Sequence, residues 1–286
     1  MQENPKGIIW LASYPKSGNT WTRNFLHNLL NVISGEDGKA HSINAMGLRS
    51  TWEIAAKPYE AIIGRPVDRC SREEIAAVRH TVQENIMENA GGLAFVKTHH
   101  ALVMDRKQPT INFDVTAGAI YIIRNPLDVA ISFSHHMNGT IDEAIEQMAL
   151  KDAETPISEK AVYEVYGSWS QHVESWTRKP HRTILVMRYE DMLDDPLKAF
   201  GALASHLRLQ ATREQVEKAI ELSSFEALSK QEDQLGFNEK PKEAKKFFRS
   251  GKSGQWRDEL SKDQVRRIVS AHQAQMGRFG YVPEEF

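Results

Sequence analysis

The segment Trp10–Leu30, WLASYPKSGNTWTRNFLHNLL, constrains the fold of this chain most strongly. It overlaps the apolar run Gly7–Ser13, which predicts a buried strand. A tight turn that contains Lys16 and Gly18 follows this strand. From Trp21 onward, apolar residues recur at helical spacing. A strand, a glycine turn and a helix often hold a phosphate, because backbone N–H groups at a helix start bind anions. The Walker pattern G-x-x-x-x-G-K-[ST] is absent, since the lysine precedes the glycine.

Three further apolar runs predict strands, and each is followed by a helical pattern. They are Leu93–Thr98, Ala119–Arg124 and Thr183–Arg188. Asn125 and Pro126 have the residue types of an N-cap and a first helical turn. Near-continuous apolar strands alternating with helices indicate a parallel sheet that is covered on both faces. We therefore expect an α/β protein with a central parallel sheet flanked by helices, a P-loop-like nucleotide-binding architecture, in one domain over residues 1–286.

Helices and surface loops are predicted between and after these units. Helices are expected over Pro196–Leu207, Thr212–Leu222 and Lys262–Phe279, the last capped by Ser261. Asp194 and Asp195 fall in a predicted turn. Exposed loops are expected over Ser34–Ser50, Gly139–Lys160 and Asn238–Lys246, and the lysine-rich last one is either a solvated loop or a flap over a phosphate site.

Composition narrows the class of partners. The chain has 286 residues, of which 41% are hydrophobic and 26% charged, and a net charge of -2, so nothing predicts a nucleic acid or an anionic membrane as partner. The single cysteine, Cys70, excludes an internal disulfide and a multi-cysteine metal site. No apolar run approaches the roughly 20 residues of a membrane span. With no signal-peptide pattern at the start, a cytoplasmic location is expected.

The amino-acid sequence of the first turn also resembles a known motif. YPKSGNTW resembles the 5′-phosphosulfate loop of the cytosolic-type sulfotransferases, whose donor is 3′-phosphoadenosine 5′-phosphosulfate (PAPS). Four more segments resemble motifs of that family and follow in the family's order: RNPLDVAIS (Arg124–Ser132), RYEDMLDDP (Arg188–Pro196), SSFEALSK and RSGKSGQW (Arg249–Trp256). Chance does not account for five motifs in the same order, so the sequence resembles the cytosolic-type sulfotransferases over about 240 residues.

The resemblance implies contacts to the three parts of the donor. By analogy with the family, the 5′-phosphosulfate is held by Lys16, Ser17, Gly18, Asn19 and Thr20. The 3′-phosphate is held by Arg124, Ser132, Arg249, Ser250 and Gly251. The adenine is held by Trp21, Tyr189, Ser223 and Phe225. Two positions depart from the family. Asn19 replaces a threonine, and its amide can still bond a phosphate oxygen. Ser250 replaces a common lysine, which weakens one 3′-phosphate contact or shifts it to Lys252.

The resemblance also implies catalytic roles. In VKTHHAL, His99 matches the family's general base, and Lys97 would contact the sulfonate oxygens. Lys16 would stabilise charge on the oxygen that links sulfur to phosphorus. Ser132 would bind the 3′-phosphate and restrain Lys16 until the acceptor arrives. No metal is required for these roles.

Other side chains near these motifs keep two interpretations. We expect His100 to be structural. His135 and His136 either line an acceptor cavity or pack between helices. Trp52, Tyr59 and Met137 either form an apolar pocket for the acceptor or pack in the core.

The sequence therefore predicts a PAPS-dependent sulfotransferase that transfers the sulfuryl group to a hydroxyl of a phenol, alcohol or natural product, releasing PAP. A P-loop-related kinase and a non-catalytic PAP binder are the alternatives. The lysine position and the pairing of Arg124 with Ser132 count against the kinase, and the set Lys16, Lys97 and His99 counts against the binder. Golgi-type sulfotransferases carry an N-terminal membrane anchor, which we do not expect in this chain. No copy of the vertebrate C-terminal dimer motif is found, so the oligomeric state is open.

Overall fold

The computed structural model describes residues 6–36, 41–240 and 246–286. Within these ranges, five strands form a parallel sheet in the order β2-β3-β1-β6-β7, and β4 pairs with β5 in a small antiparallel hairpin. The strands are β1 (Gly7–Ser13), β2 (Thr51–Trp52), β3 (Leu93–Thr98), β4 (Met104–Asp105), β5 (Gln108–Pro109), β6 (Thr116–Ile123) and β7 (Ile184–Arg188).

Helices cover both faces of the sheet. In the described ranges they are α1 (Asn19–Ile33), α2 (Ala56–Ile63), α3 (Arg72–Ala90), α4 (Pro126–Met137), α5 (Ile141–Ala149), α6 (Trp169–Thr177), α7 (Tyr189–Asp194), α8 (Pro196–His206), α9 (Arg213–Leu222), α10 (Phe225–Leu235), α11 (Trp256–Glu259) and α12 (Lys262–Arg278). No described helix has the length and apolar character that a membrane crossing requires.

The central strand β1 contributes to two separate cores. Alternate side chains point to opposite faces of a strand, so Trp10 packs with α4, α6 and α12 while Leu11 packs with α1, α8 and α9. Both side chains are fully buried. Burial on both faces explains why the strand sequence is almost continuously apolar, and it confirms the predicted fold class.

The predicted elements agree closely with the structure near the sheet centre. β1 and β3 have the predicted bounds, whereas β6 starts at Thr116 rather than Ala119 and β7 starts at Ile184. The Asn125 side chain caps α4 by accepting a hydrogen bond from the Leu127 N–H. Ser261 caps α12 as predicted.

Two of the loop predictions need correction. The predicted loop Gly139–Lys160 contains α5, whose start is fixed by a reciprocal capping box between Thr140 and Glu143. Its buried residues Ala144, Ile145 and Met148 lie on one face.

The segment Ser34–Ser50 contains a 3₁₀ helix over Ile43–Leu48, although its residues 37–40 lie outside the described residues. Residues 241–245 of the predicted loop Asn238–Lys246 also lie outside the described residues. The predicted turn at Asp194 and Asp195 is the end of α7, followed by the N-cap of α8.

The parallel pairing brings three strand ends together. Ala12 is paired with Thr98 on one side of β1, and Ser13 is paired with Ile122 on the other. The carboxyl ends of β1, β3 and β6 therefore share one edge of the sheet, which is where parallel α/β sheets bind ligands. The loops that leave this edge carry the predicted phosphate loop, His99 and Arg124.

The aromatic stack beneath α1 gives a test of the fold. Phe200 is fully buried, with its ring stacked on Phe25 at a centroid distance of 4.1 Å and edge-on to Trp21 at 5.3 Å. We expect Phe200→Ala to lower the free energy of unfolding by about 3–5 kcal/mol, because a large cavity is left in the core. Urea denaturation measures this. Leu235→Ala, at a side chain that is 61% exposed, is the control and should change stability by less than about 0.5 kcal/mol.

Candidate active site

The turn after β1 is shaped for an anion. Gly18 has φ +107°, and a Cβ at that position would lie 2.7 Å from the Tyr189 ring, so the position requires glycine. No side chain of the described residues caps α1, whose first residue is Asn19. The N–H groups of its first turn therefore lack intrahelical acceptors and are available to a ligand.

Two polar side chains of this loop have surroundings within the protein that the sequence did not predict. The Asn19 amide nitrogen donates to the Leu11 carbonyl at 2.8 Å, which directs it toward the strand. The Ser17 side chain is fully buried and its hydroxyl has no hydrogen-bond partner among the described residues. The Ser17 N–H donates to the Tyr14 carbonyl at 3.3 Å. The N–H groups at the start of α1 are therefore the donors of this loop that remain open to an anion.

A cavity of about 940 Å³ opens over this edge of the sheet. Its volume is at the upper end of the range for small-molecule sites, which allows for two ligands at once. It gathers most of the predicted site residues: Lys16, Gly18, Asn19, Thr20, Trp21, Lys97, His99, Arg124, Ser132, Tyr189, Phe225, Arg249, Ser250 and Gly251. Two predicted residues are not among those that line it, Ser17 and Ser223.

Hydrogen bonds to the backbone and to Nδ1 hold His99 and leave its other ring nitrogen, Nε2, free. Its Nδ1 lies 2.7 Å from the Ser13 carbonyl oxygen, so Nδ1 carries the proton and Nε2 has the lone pair. Its backbone N–H donates to Glu164 Oε1 at 2.6 Å, and His172 Nε2 donates to its carbonyl oxygen at 3.1 Å. Burial, together with the neighbouring Lys97 charge, lowers the pKa of His99 well below 6.5, so its ring is neutral at physiological pH.

The cavity brings together Lys16, Lys97 and Arg124, none of which forms an ion pair with a described carboxylate. Burial lowers the pKa of Lys16 to about 8, and the charges of Arg124 and Lys97 add to the effect. Burial also lowers the pKa of Lys97. The Lys16 ammonium lies 4.4 Å from the centre of the Phe247 ring, and Lys97 lies 4.8 Å from that of Trp52. Polyanionic ligands are favoured here because they stabilise the charged form of both lysines.

Arg124 lies at the opposite end of the phosphate loop from His99. Its guanidinium donates to the Lys16 carbonyl at 3.1 Å and to the Lys252 carbonyl at 3.2 Å, and it stacks on Tyr189 at 4.4 Å. Its Nε is buried without a partner among the described residues. Ser132 lies on α4 and lines the same cavity.

The C-terminal glycine loop is anchored beside Arg124. Asp128 accepts hydrogen bonds from the N–H groups of Gly254, at 2.7 Å, and Trp256, at 3.1 Å. This brings Arg249 and Ser250 to the cavity wall. Lys252 contributes its backbone carbonyl to Arg124 and is not among the residues that line the cavity.

An aromatic wall closes this end of the cavity. Trp21 packs edge-on against Tyr189, with ring centroids 5.7 Å apart, and both rings line the cavity. Trp21 also packs against the hydrophobic core beneath α1, so it contributes both to the core and to the cavity wall. Gly251 has φ +64°, and a Cβ there would lie 2.3 Å from the Phe225 ring. Ser223 is instead fully buried beneath α1, where its hydroxyl accepts from Asn28 at 2.9 Å.

The open interpretations of the neighbouring residues separate clearly in the structure. Trp52, which is 39% exposed, and Met137 line the cavity, whereas Tyr59 is fully buried in a separate core. His136 lines the cavity and His135 does not.

His100 is structural, as expected. It is fully buried, its Nδ1 accepts from the Val165 N–H at 3.0 Å, and its Nε2 lies 3.6 Å from Glu53 Oε2.

Several cavity residues were not predicted. Phe247 and Phe248 immediately precede Arg249, so their proximity to the glycine loop was a usable signal. Glu164 and Thr155 had no such signal in the sequence. They reach the cavity because Glu154 pairs with Val165, which brings this part of the chain to the end of β3.

Comparison with known proteins identifies the class of this site. A family model described as a sulfotransferase domain matches residues 6–280. The flavonol 3-sulfotransferase of Flaveria bidentis is 25% identical over 96% of this chain and 83% of that protein. The luciferin sulfotransferase of Photinus pyralis is 23% identical over 90% of this chain and 68% of that protein.

Solved structures show the same fold. The crystal structure of retinol dehydratase with retinol and PAP has a TM-score of 0.64 and 20% identity, covering 95% of this chain and 82% of that one. A mouse sulfotransferase complexed with PAP has a TM-score of 0.60 and 20% identity, covering 96% and 84%.

The chain belongs to the sulfotransferase-domain family. It is an enzyme that transfers a sulfuryl group from PAPS to a hydroxyl acceptor. The family resemblance seen in the five motifs is thus confirmed, and neither a kinase nor a non-catalytic binder describes it.

The lowered pKa of Lys16 predicts how PAP binding depends on pH. Free Lys16 loses its proton above about pH 8, and an anionic ligand favours the charged form, so the complex must regain that proton. PAP affinity should be nearly constant below pH 8 and fall above it, by up to about tenfold per pH unit from this group. Calorimetric titrations across this range measure the slope.

Lys16→Gln is the matched variant for this prediction. It should bind PAP more weakly at every pH and show a shallower decline above pH 8, with the remaining slope due to Lys97. An unchanged slope in the variant would assign the titration to another group.

Proposed function

We propose that His99 is the general base that activates the acceptor hydroxyl. The observation that carries this role is the 2.7 Å hydrogen bond from Nδ1 to the Ser13 carbonyl, which leaves Nε2 as an unprotonated acceptor. His99 lines the cavity between the phosphate loop and the apolar wall. In this role Nε2 takes the hydroxyl proton while the acceptor oxygen bonds to sulfur.

The donor supplies the sulfuryl group, whose bond to the 5′-phosphate oxygen breaks in line as the new bond forms. Lys16 and the N–H groups at the start of α1 stabilise the negative charge that develops on the leaving phosphate. Lys97 neutralises the sulfonate oxygens. In the free structure Lys16 faces Phe247, and no hydrogen bond between described residues joins it to Ser132. A restraint of Lys16 by Ser132 would therefore form only after the donor binds.

The residues present fit the 3′-phosphate end of the donor. Arg124 lines the cavity while its guanidinium stacks on Tyr189, and a guanidinium in such a position forms charge-assisted hydrogen bonds with a phosphate. Ser132, Arg249, Ser250 and Gly251 line the same part of the cavity. The adenine would lie against Trp21, Tyr189 and Phe225, where aromatic faces are available.

The acceptor class that the cavity supports best is an aromatic hydroxyl compound. Apolar side chains form the wall beyond His99: Trp52, Ile54, Phe133, Met137 and Val162. A phenol also suits a base with a low pKa, because its proton is released more readily than that of an aliphatic alcohol. The named acceptors of two relatives, a flavonol and a luciferin, agree with this class.

Replacing the base tests the mechanism. His99→Ala should lower kcat with a phenolic acceptor by about 10²–10⁴-fold, while PAP affinity measured by calorimetry stays nearly unchanged. His135→Ala is the control, because that histidine does not line the cavity and should keep turnover. A loss of PAP binding in His99→Ala, or full turnover without the ring, would contradict the assignment.

Replacing the arginine tests the donor orientation. Arg124→Ala should weaken PAP by about 10–100-fold, because charge-assisted hydrogen bonds are lost. Adenosine 5′-phosphosulfate, which lacks the 3′-phosphate, should lose far less. Arg188→Ala is the matched control, since Arg188 also ends a strand and stacks on a tyrosine, Tyr281, but does not line the cavity. Equal losses for both nucleotides in Arg124→Ala would place the 3′-phosphate elsewhere.

A further inference from the structure

Three carboxylates line the cavity, and two of them are neutralised by arginine. Glu239 makes two hydrogen bonds of 2.9 Å with the buried Arg23. Glu154 forms ion pairs with Arg72 and Arg106. Glu164 makes no ion pair with any described residue. It is therefore the one carboxylate of the described cavity wall whose charge is not matched by direct contact.

The position of Glu164 is set by the general base. Its Oε1 accepts the His99 backbone N–H at 2.6 Å, and its side chain is only 3% exposed. No described residue donates a hydrogen bond to Oε2, and Oε2 is not sealed away, because Glu164 belongs to the cavity lining and this oxygen is absent from the fully enclosed unpaired atoms. An accepting oxygen thus faces the acceptor space within one residue of His99.

An unmatched carboxylate in such a place favours a ligand with a donor group. Burying a carboxylate oxygen without a donor is costly, and burial raises the pKa of Glu164. A hydrogen bond from the acceptor would offset this cost. The acceptor's reacting hydroxyl is already required at His99 Nε2, so the donor to Glu164 must be a second group on the same molecule.

The charges around Glu164 favour a hydroxyl over an ammonium as this second group. Lys97 acts on Glu164 electrostatically, and Lys16 and Arg124 line the same cavity. An ammonium placed here would be repelled by these cations, whereas a neutral hydroxyl donates to the carboxylate without that penalty. Because Glu164 is hydrogen-bonded to the backbone of His99, a second hydroxyl adjacent to the reacting one is best placed to reach it.

We propose that Glu164 binds a second hydroxyl of the acceptor, next to the reacting one, and so selects aromatic vicinal diols over simple phenols. This inference rests on the proposed function, in which His99 activates an aromatic hydroxyl. The Glu164 carboxylate accepts a hydrogen bond and no proton is transferred to it. The reacting proton still goes to His99 Nε2, and the products are the diol monosulfate and PAP.

Catechol and guaiacol, its monomethyl ether, provide the test, with phenol as the simple reference. Guaiacol keeps the second oxygen but cannot donate from it. For the wild type we expect kcat/KM for catechol to exceed that for guaiacol by at least about tenfold, beyond the factor of two for its two equivalent hydroxyls, since a hydrogen bond to a charged group is lost. In Glu164→Gln this preference should disappear, because the amide nitrogen replaces the accepting Oε2.

Glu154→Gln is the matched control, since it removes the charge of a cavity carboxylate that is already paired with arginines. The catechol preference should survive in that variant. A purely positioning role of Glu164 toward His99 would lower turnover of all three probes in Glu164→Gln by one factor and leave their ratios unchanged, which would overturn the proposal.

The wild-type measurements do not depend on the folding of any variant. Equal kcat/KM values for catechol and guaiacol in the wild type, after the statistical correction, would overturn the role of Glu164 and leave the sulfotransferase mechanism intact. An absence of sulfated product from all three probes would instead contradict the proposed aromatic acceptor, and this inference with it.

Discussion

Parallel pairing of β1 with both β3 and β6 is the constraint on which the active site depends. It brings the ends of three strands to one edge, so that the Ser13 carbonyl reaches the ring of His99 and Arg124 reaches the carbonyl of Lys16. These hydrogen bonds join residues that are distant in sequence, and each uses a backbone carbonyl at or just beyond the end of β1. A shift of β1 by one residue would turn its side chains to the wrong faces and remove these contacts together.

The electrostatics of the site follow from this convergence. Lys16, Lys97 and Arg124 line one buried cavity, where each cation raises the cost of charging the lysines. A polyanionic donor stabilises the charged form of the two lysines, so donor binding and the protonation of the lysines are coupled. Burial, together with the charge of Lys97, lowers the pKa of His99 and keeps its ring neutral, which is the state a general base needs. The free enzyme is therefore arranged for the donor before the donor arrives.

Local sequence predicted the elements that are buried on both faces or strongly capped. β1, β3 and α12 follow from apolar runs and from Ser261, because these signals lie within a few residues of each other. No prediction covered α3, whose apolar residues form only a weak stripe. The helix α5 was predicted as loop, although Thr140 and Glu143 form a capping box that the sequence displays. Its buried face forms against α4 and α12, and that packing is a tertiary interaction.

The sequence by itself determined the family, the phosphate turn and the candidate residues Lys16, Lys97, His99 and Arg124, because each signal is a local motif and the motifs follow in the order that the family has. Only the tertiary structure decided which of their atoms are available. It directs the Asn19 amide to the Leu11 carbonyl, buries Ser223 beneath α1 and brings Glu164 to the backbone of His99. These outcomes depend on contacts between distant segments, whose geometry is set by packing and by the need of buried polar groups for partners.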